Sequence, residues 1–185
     1  MDFIYLDNAA TTPVLEEVID IMTQTLSASF GNPSSIHSQG RTAKSIIENT
    51  RKSIAKELGA QPKEIIFTSG GTEGDNMILQ GAVYGLGVET IITSKIEHHA
   101  VLHAVENLEK TAGVTVQYVK VLPDGSPEID DLKRLLQNDN TKKLVSLIHI
   151  NNELGTITDL ETIGNLCRKN KALFHSDTVQ SIGHY

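Results

Sequence analysis

The residues of this chain whose types and spacing could do chemistry fall in four short polar runs. The first is Thr68-Ser69-Gly70-Gly71-Thr72-Glu73-Gly74-Asp75-Asn76, which joins the β-branched and aromatic run Ile65-Ile66-Phe67 to a helical pattern. Gly70 and Gly71 let main-chain amides approach a ligand with no Cβ in the way. The first N–H groups of a helix lack internal acceptors and lie at the positive end of its dipole, so a phosphate placed at such a turn is well held. The same residues also read as a plain capping turn, with Thr72 as N-cap and Asp75 as the N3 acid of an imperfect capping box. The run lacks the Gly-Lys-Ser/Thr of a Walker loop and is not a dinucleotide fingerprint.

The other runs are Glu97-His98-His99, Asn151-Asn152-Glu153 and His175-Ser176-Asp177 with Gln180 close behind. Taken singly, each has a structural explanation: His98 packed at a helix start, Asn152 forming a turn, Asp177 capping a helix, Gln180 solvated. Their common position tells more. Each run follows a predicted strand, and in open α/β sheets ligands bind outside the carboxyl ends of the strands. A phosphate turn, an imidazole available for stacking, a strand-end carboxylate and amide donors together describe a cradle for a phosphorylated heteroaromatic cofactor. Pyridoxal phosphate is the natural candidate, because its ring acts as an electron sink while an adjacent Asp keeps the pyridine nitrogen protonated. Its chemistry also requires a Schiff-base lysine.

The elements that must position these groups follow from periodicity. Pro13 suits the first turn of a helix over about residues 14–28, whose apolar stripe is Val14, Val18, Ile21, Met22 and Leu26. The polar turn Phe30-Gly31-Asn32-Pro33-Ser34-Ser35 precedes a second helix over about 37–58, which Gly59 stops. From there strand and helix alternate. Strands are predicted near 64–68, 89–93, 114–119, 144–149 and 172–175, with helices near 72–85, 97–111, 127–137 and 159–170 between them. This is the pattern of an α/β fold with a mostly parallel sheet and helices on both faces. Leu122-Pro123-Asp124-Gly125-Ser126-Pro127 is a surface turn.

With 185 residues, 39% hydrophobic and 21% charged, the chain has enough material for one domain with a core and a small second piece. A formal net charge of -7 argues against nucleic acid or an anionic membrane as a partner, since no basic face is available. The single cysteine, Cys167, forms no internal disulfide and fits a reducing compartment. No apolar run reaches membrane-spanning length, and the N-terminus lacks the features of a signal peptide, so a cytoplasmic location is expected.

Six segments in order, Tyr5-Leu6-Asp7-Asn8-Ala9-Ala10-Thr11-Thr12-Pro13, Gly31-Asn32-Pro33-Ser34-Ser35, Phe67-Thr68-Ser69-Gly70-Gly71-Thr72-Glu73, Glu97-His98-His99-Ala100-Val101-Leu102, Asn151-Asn152-Glu153-Leu154-Gly155 and His175-Ser176-Asp177-Thr178-Val179-Gln180-Ser181, resemble cysteine desulfurases of the NifS/IscS type. These belong to the class V aminotransferase group of fold type I, and the resemblance runs over residues 4–185. It implies that Gly71 and Thr72 bind the phosphate of pyridoxal phosphate. His98 would stack on the ring and move protons, and Asn152 would lie near the phenolic oxygen and the substrate carboxylate. Asp177 would partner the pyridine nitrogen, and Gln180 would donate to the phenolic oxygen. Gly71 and Gly74 depart from the family's frequent alanine and serine, and Ser176 and Thr178 flank the aspartate where valine or alanine is common.

The activity the resemblance implies is desulfuration of L-cysteine to alanine, with sulfur passed through an enzyme persulfide to an iron–sulfur scaffold or a tRNA-thiolation factor by a homodimer. The resemblance puts the Schiff-base lysine, the persulfide cysteine and the substrate arginine downstream of Tyr185. Residues 1–15 are then expected to join the small domain. Residues 16–185 are expected to form the large domain, incomplete before that lysine and inactive alone. Lys95 stands at the wrong motif position to replace the lysine, and Cys167, on a helical face with Ile163 and Leu166, reads as packing. A selenocysteine lyase, another class V lyase or transaminase, and a non-catalytic binding module remain alternative readings.

Overall fold

The computed structural model describes residues 4–184. Two compact units divide at Phe67 and Thr68. Phe3, the first residue of the apolar run 3–6, lies outside the described residues.

The first unit is helical. Helix α1 spans Glu16–Ala28 with Leu15 as its N-cap residue, so Pro13 lies two residues ahead of the cap rather than in the first turn. All five residues of its apolar stripe are exposed. Helix α2, Ser38–Glu57, starts at His37, whose Nδ1 accepts the Gly40 N–H at 3.4 Å, and ends ahead of Gly59 at φ 62°. The polar turn before it packs tightly on the helix. Asn32 accepts the Ser34 N–H with its side chain (2.9 Å) and the Ser35 N–H with its carbonyl (2.9 Å). A Cβ on Gly40 would meet the Ser35 carbonyl, which is why a residue without a side chain stands there.

The expected strand at 64–68 does not form. Pro62–Glu64 is a single 3₁₀ turn, and residues 65–68 are unpaired. Ile65 is extended, with φ -94° and ψ 119°, but an extended segment becomes a strand only through a ladder partner, and none of the described strands pairs with it. Arg51 of α2 holds the segment instead: its guanidinium donates to the Ile65 carbonyl and lies 4.8 Å from the centroid of the Phe67 ring.

The second unit is the predicted α/β layer structure. Strands β1 (Thr90–Thr93), β2 (Thr115–Tyr118), β3 (Lys143–Ser146) and β4 (Leu173–His175) form one parallel sheet in the order β2-β1-β3-β4. Helices α3 (Gly71–Gln80), α4 (His99–Ala112), α5 (Ile129–Gln137) and α6 (Leu160–Lys169) alternate with them. The strands alternate with period two between two cores. Ile91, Leu144 and Leu173 face α3 and α4, where Leu79, Val101, Val105 and Leu108 are buried. Ile92, Val145 and Phe174 face α5 and α6, where Leu132, Leu135 and Ile163 are buried. At the amino end of β3, the buried Lys143 ammonium is held by Asp139 at 2.6 Å, which pushes the Asp139 carboxyl down to about 2.

Leu132 is fully enclosed between α5 and the sheet. Leu132→Ala should therefore lower stability by ~2–5 kcal/mol in urea denaturation, since the removed side chain leaves a cavity the sheet cannot close. A cost no greater than that of an exposed Leu would show that this core is not packed as described.

Candidate functional site

All the candidate residues lie in the second unit, at the carboxyl edge of its sheet. Three formed strands lead into them rather than four, because the segment before Ser69 is unpaired.

Helix α3 begins at Gly71 with Gly70 as N-cap, so Thr72 is inside the first turn and is not the cap. Nor is Asp75 a capping acid. Glu73 closes the turn instead, accepting from the Ser69 N–H (2.6 Å) and the Ser69 hydroxyl (2.7 Å), and these bonds hold its carboxyl below its ordinary value. The Gly74 N–H is bonded to the Gly70 carbonyl at 3.1 Å, while the amides before it in the first turn have no acceptor four residues back within the helix. A Cβ on Gly71 would lie 2.7 Å from Cγ2 of Val179, so glycine in place of the family's usual alanine matches the loop that carries Asp177 and Gln180.

His98 is the N-cap of α4 and is exposed. Its Nδ1 accepts the Ala100 N–H at 3.2 Å, which leaves Nε2 as the nitrogen that carries hydrogen in the neutral ring. Thr72 and His98 line one groove between α3 and α4, with Asn76 and His103. Asn151 builds the turn after β3: its side-chain oxygen accepts the N–H groups of Glu153 and Leu154, both at 2.9 Å, and its Nδ2 donates to the Ile96 carbonyl at 2.6 Å. That last bond ties the Asn152 turn to the His98 turn. Asn152 itself is half-buried, and its amide donates to the exposed Glu153 carboxylate at 3.1 Å. Asp177 follows β4, is 6% exposed, and caps no helix; its Oδ1 accepts the Val179 N–H at 2.9 Å in an Asx turn. Its carbonyl accepts the His149 N–H at 2.9 Å, which fastens it to the end of β3. Gln180 is half-buried in the turn that follows.

Behind these residues is a buried polar layer that periodicity did not reveal. Asp75 Oδ1 is 3.4 Å from His175 Nε2, and His175 Nδ1 is 2.9 Å from the Ser146 hydroxyl, so α3, β4 and β3 are linked by one imidazole. Glu97 is 6% exposed and accepts the Ser94 hydroxyl at 2.6 Å. Chemically reactive groups are elsewhere. Cys167 is in the core against α5, and burial pushes its thiol up to about 11. The Lys95 ammonium is 5.7 Å from the centroid of the Tyr118 ring, over β2.

Residues 4–185 match the family model described as aminotransferase class-V. The chain belongs to the class V aminotransferase family. It is 46% identical over 183 residues to the cysteine desulfurase IscS of Dictyoglomus turgidum, covering 98% of this chain and 46% of that protein. Among solved structures it is similar to a NifS-like protein (TM-score 0.89, 40% identity, 96% of this chain and 49% of the other). It is also similar to SspA in complex with cysteine (TM-score 0.88, 36% identity, 96% of this chain and 51% of the other). The chain thus spans about half the length of the relatives it matches.

The residues this class V chain presents fit pyridoxal phosphate. Helix amides and the Thr72 hydroxyl suit a phosphate, the His98 ring suits a heteroaromatic face, and the Asp177 carboxylate suits a cationic ring nitrogen. Gly71→Ala should cost on the order of 1 kcal/mol by forcing Val179 from its rotamer. The double variant G71A/V179A should recover thermal stability and binding of inorganic phosphate together. A double variant no better than G71A alone would show that Val179 is not what Gly71 accommodates.

Proposed function

We propose that this chain is the cofactor-binding part of a pyridoxal phosphate-dependent cysteine desulfurase. One observation carries the reading: α3's first turn, His98, Asn152, Asp177 and Gln180 converge on one carboxyl edge of a parallel sheet, in a family member whose relatives are named cysteine desulfurases. The bound cofactor supplies an electron sink for density released at the substrate α-carbon.

The chain's own residues set up that chemistry. Gly71 and Thr72 hold the phosphate through main-chain amides and a hydroxyl. Asp177, its Oδ1 fixed by the Val179 N–H, keeps the ring nitrogen protonated. His98 would offer its ring face to the cofactor, and Nε2 is the nitrogen that would take or return a proton, because Nδ1 is committed to the Ala100 N–H. Asn152 and Gln180 would supply amide donors for the phenolic oxygen, and Asn152 would also serve the substrate carboxylate. The Schiff-base lysine and the sulfur-accepting thiol come from outside this chain's site residues, since Lys95 and Cys167 are both turned to other partners. L-Cysteine is the substrate in this reading. Alanine is one product, and the sulfur goes to an acceptor protein such as an iron–sulfur scaffold. A cytoplasmic homodimer is the form proposed to do this.

The test uses the full-length protein loaded with pyridoxal phosphate and given L-cysteine with dithiothreitol. Alanine and sulfide should appear in equal amounts, and Asp177→Ala should reduce the rate by ~10²-fold or more. Undiminished turnover in the Asp177 variant would remove the pyridinium assignment. Turnover of selenocysteine without cysteine would favour a selenocysteine lyase.

A further inference from the structure

Three carboxyl groups, Asp75, Glu97 and Asp177, are buried to nearly the same degree under the cradle, 6% exposed in each case. Their partners are unequal. Asp75 faces the His175 imidazole, and Asp177 has the Val179 N–H on Oδ1. Glu97 has the Ser94 hydroxyl on Oε1, and its Oε2 makes no hydrogen bond among the described residues, although the Ile148 amide acts on the carboxyl. The charges that act on it come from Asp177 after β4 and Asp75 on α3, and both are negative. His175 is also in this layer, with its two ring nitrogens directed to Asp75 and Ser146.

We propose that Glu97 is a positioning residue that stores a proton for the site: it stays a neutral carboxylic acid at neutral pH, so that Asp177 remains the ionised carboxylate that receives a cationic ring nitrogen. This deepens the cofactor reading above and rests on it. The reason is one of relative cost. An unpaired neutral O–H in a buried place is far cheaper than an unpaired, unsolvated carboxylate oxygen, so an orphaned carboxyl oxygen belongs on a protonated group. Two carboxyl groups that interact strongly titrate as a pair, and the better-partnered member ionises first. Glu97 is the member with an enclosed oxygen that no hydrogen bond serves among the described residues. Burial above all, and then the charges of Asp177 and Asp75, push the Glu97 carboxyl up to about 8, against the Ser94 hydrogen bond and the Ile148 amide, which pull the other way.

The pH dependence has a definite sign. The folded value lies above the ordinary 4.5, so the folded protein holds a proton that the unfolded chain releases. The associated stability is fully present below about 4.5 and is lost as pH rises through about 8. Glu97→Gln has the shape of the neutral acid and should flatten this loss, making the variant the more stable protein above pH 8.

Infrared spectroscopy of the full-length protein tests the proposal directly. A protonated-carboxyl C=O band should be present at neutral pH, disappear on titration through about 8, and be absent in E97Q. In D177N the band should persist with its midpoint moved down, because one of the two opposing charges is gone. A purely structural Glu97 would not link its midpoint to Asp177. A band that survives E97Q, or a midpoint that D177N leaves unmoved, would overturn the proposal. Pyridoxal phosphate absorbance separates the two readings: affinity unchanged in D177N would sink the cradle assignment, whereas the band and its midpoint judge Glu97 with no cofactor present.

Discussion

Everything at the site depends on a sheet buried on both faces. Ile91 and Ile92, Leu144 and Val145, and Leu173 and Phe174 alternate between two apolar cores, which leaves little of either sheet face for exposed chemistry. Polar side chains are therefore driven to strand ends. In a parallel sheet every carboxyl end leads into a connection toward the next helix. Ser94 to His98 lead into α4, and Gly70 starts α3, so unpaired helix amides collect at the same edge as the strand-end carboxylate of Asp177. One edge thus brings a positive helix end and a negative strand-end group together, the pairing that the proposed cofactor's phosphate and ring nitrogen call for. No basic surface is needed for this, and a chain with a net charge of -7 can still hold an anion.

The inner polar layer fixes how that edge is held. His175 is at the end of β4 and reaches Asp75 on α3 and Ser146 on β3, so the helix that begins with the Gly71-Thr72 turn is keyed to the strands that lead to the Asn152 and Asp177 turns. Such a buried pair adds little net stability, because desolvation offsets the attraction. Removing one member is costly, because the other is left uncompensated. The layer acts through registry more than through strength. The Ile96 carbonyl, bonded to Asn151, serves the same purpose between the turns after β1 and β3.

The elements of the second unit were legible because their signals are local. Period-two runs and 3.6-residue stripes placed four strands and four helices within a few residues of their observed bounds, and reading past each strand end led to His98, Asn152, Asp177 and Gln180 as candidates at the carboxyl edge. Ile65-Ile66-Phe67 misled for an instructive reason: its composition suits a strand, but a strand is a pairwise object, and Ile66 is 64% exposed with no ladder beside it. Asp75, Glu97 and His175 were visible only as polar letters. A buried carboxyl has no periodic signature of its own, and its inward direction follows from which neighbours the folded sheet brings to it. The helix cap misled in the same way, since Glu73 and Asp75 are both acids near the start of α3 and only the turn geometry assigns the capping role to Glu73.

The two side chains with the most covalent potential mark what this chain does not do with its own groups. A thiol at about 11 among Ile163, Leu132 and Leu136 has almost no thiolate at neutral pH, so Cys167 is a core residue despite being the single sulfur nucleophile in the sequence. Lys95 follows Ser94 at a strand end, yet its ammonium lies over the ring of Tyr118 on the neighbouring strand. In the proposed reading the roles assigned to this chain's residues are non-covalent: gripping a phosphate, presenting a ring face, and placing a carboxylate at a ring nitrogen. That last task is set by the layer beneath. Of the two acids just past the strand ends, Glu97 is the one with an enclosed oxygen that makes no hydrogen bond among the described residues, and burial raises its carboxyl above the ordinary range.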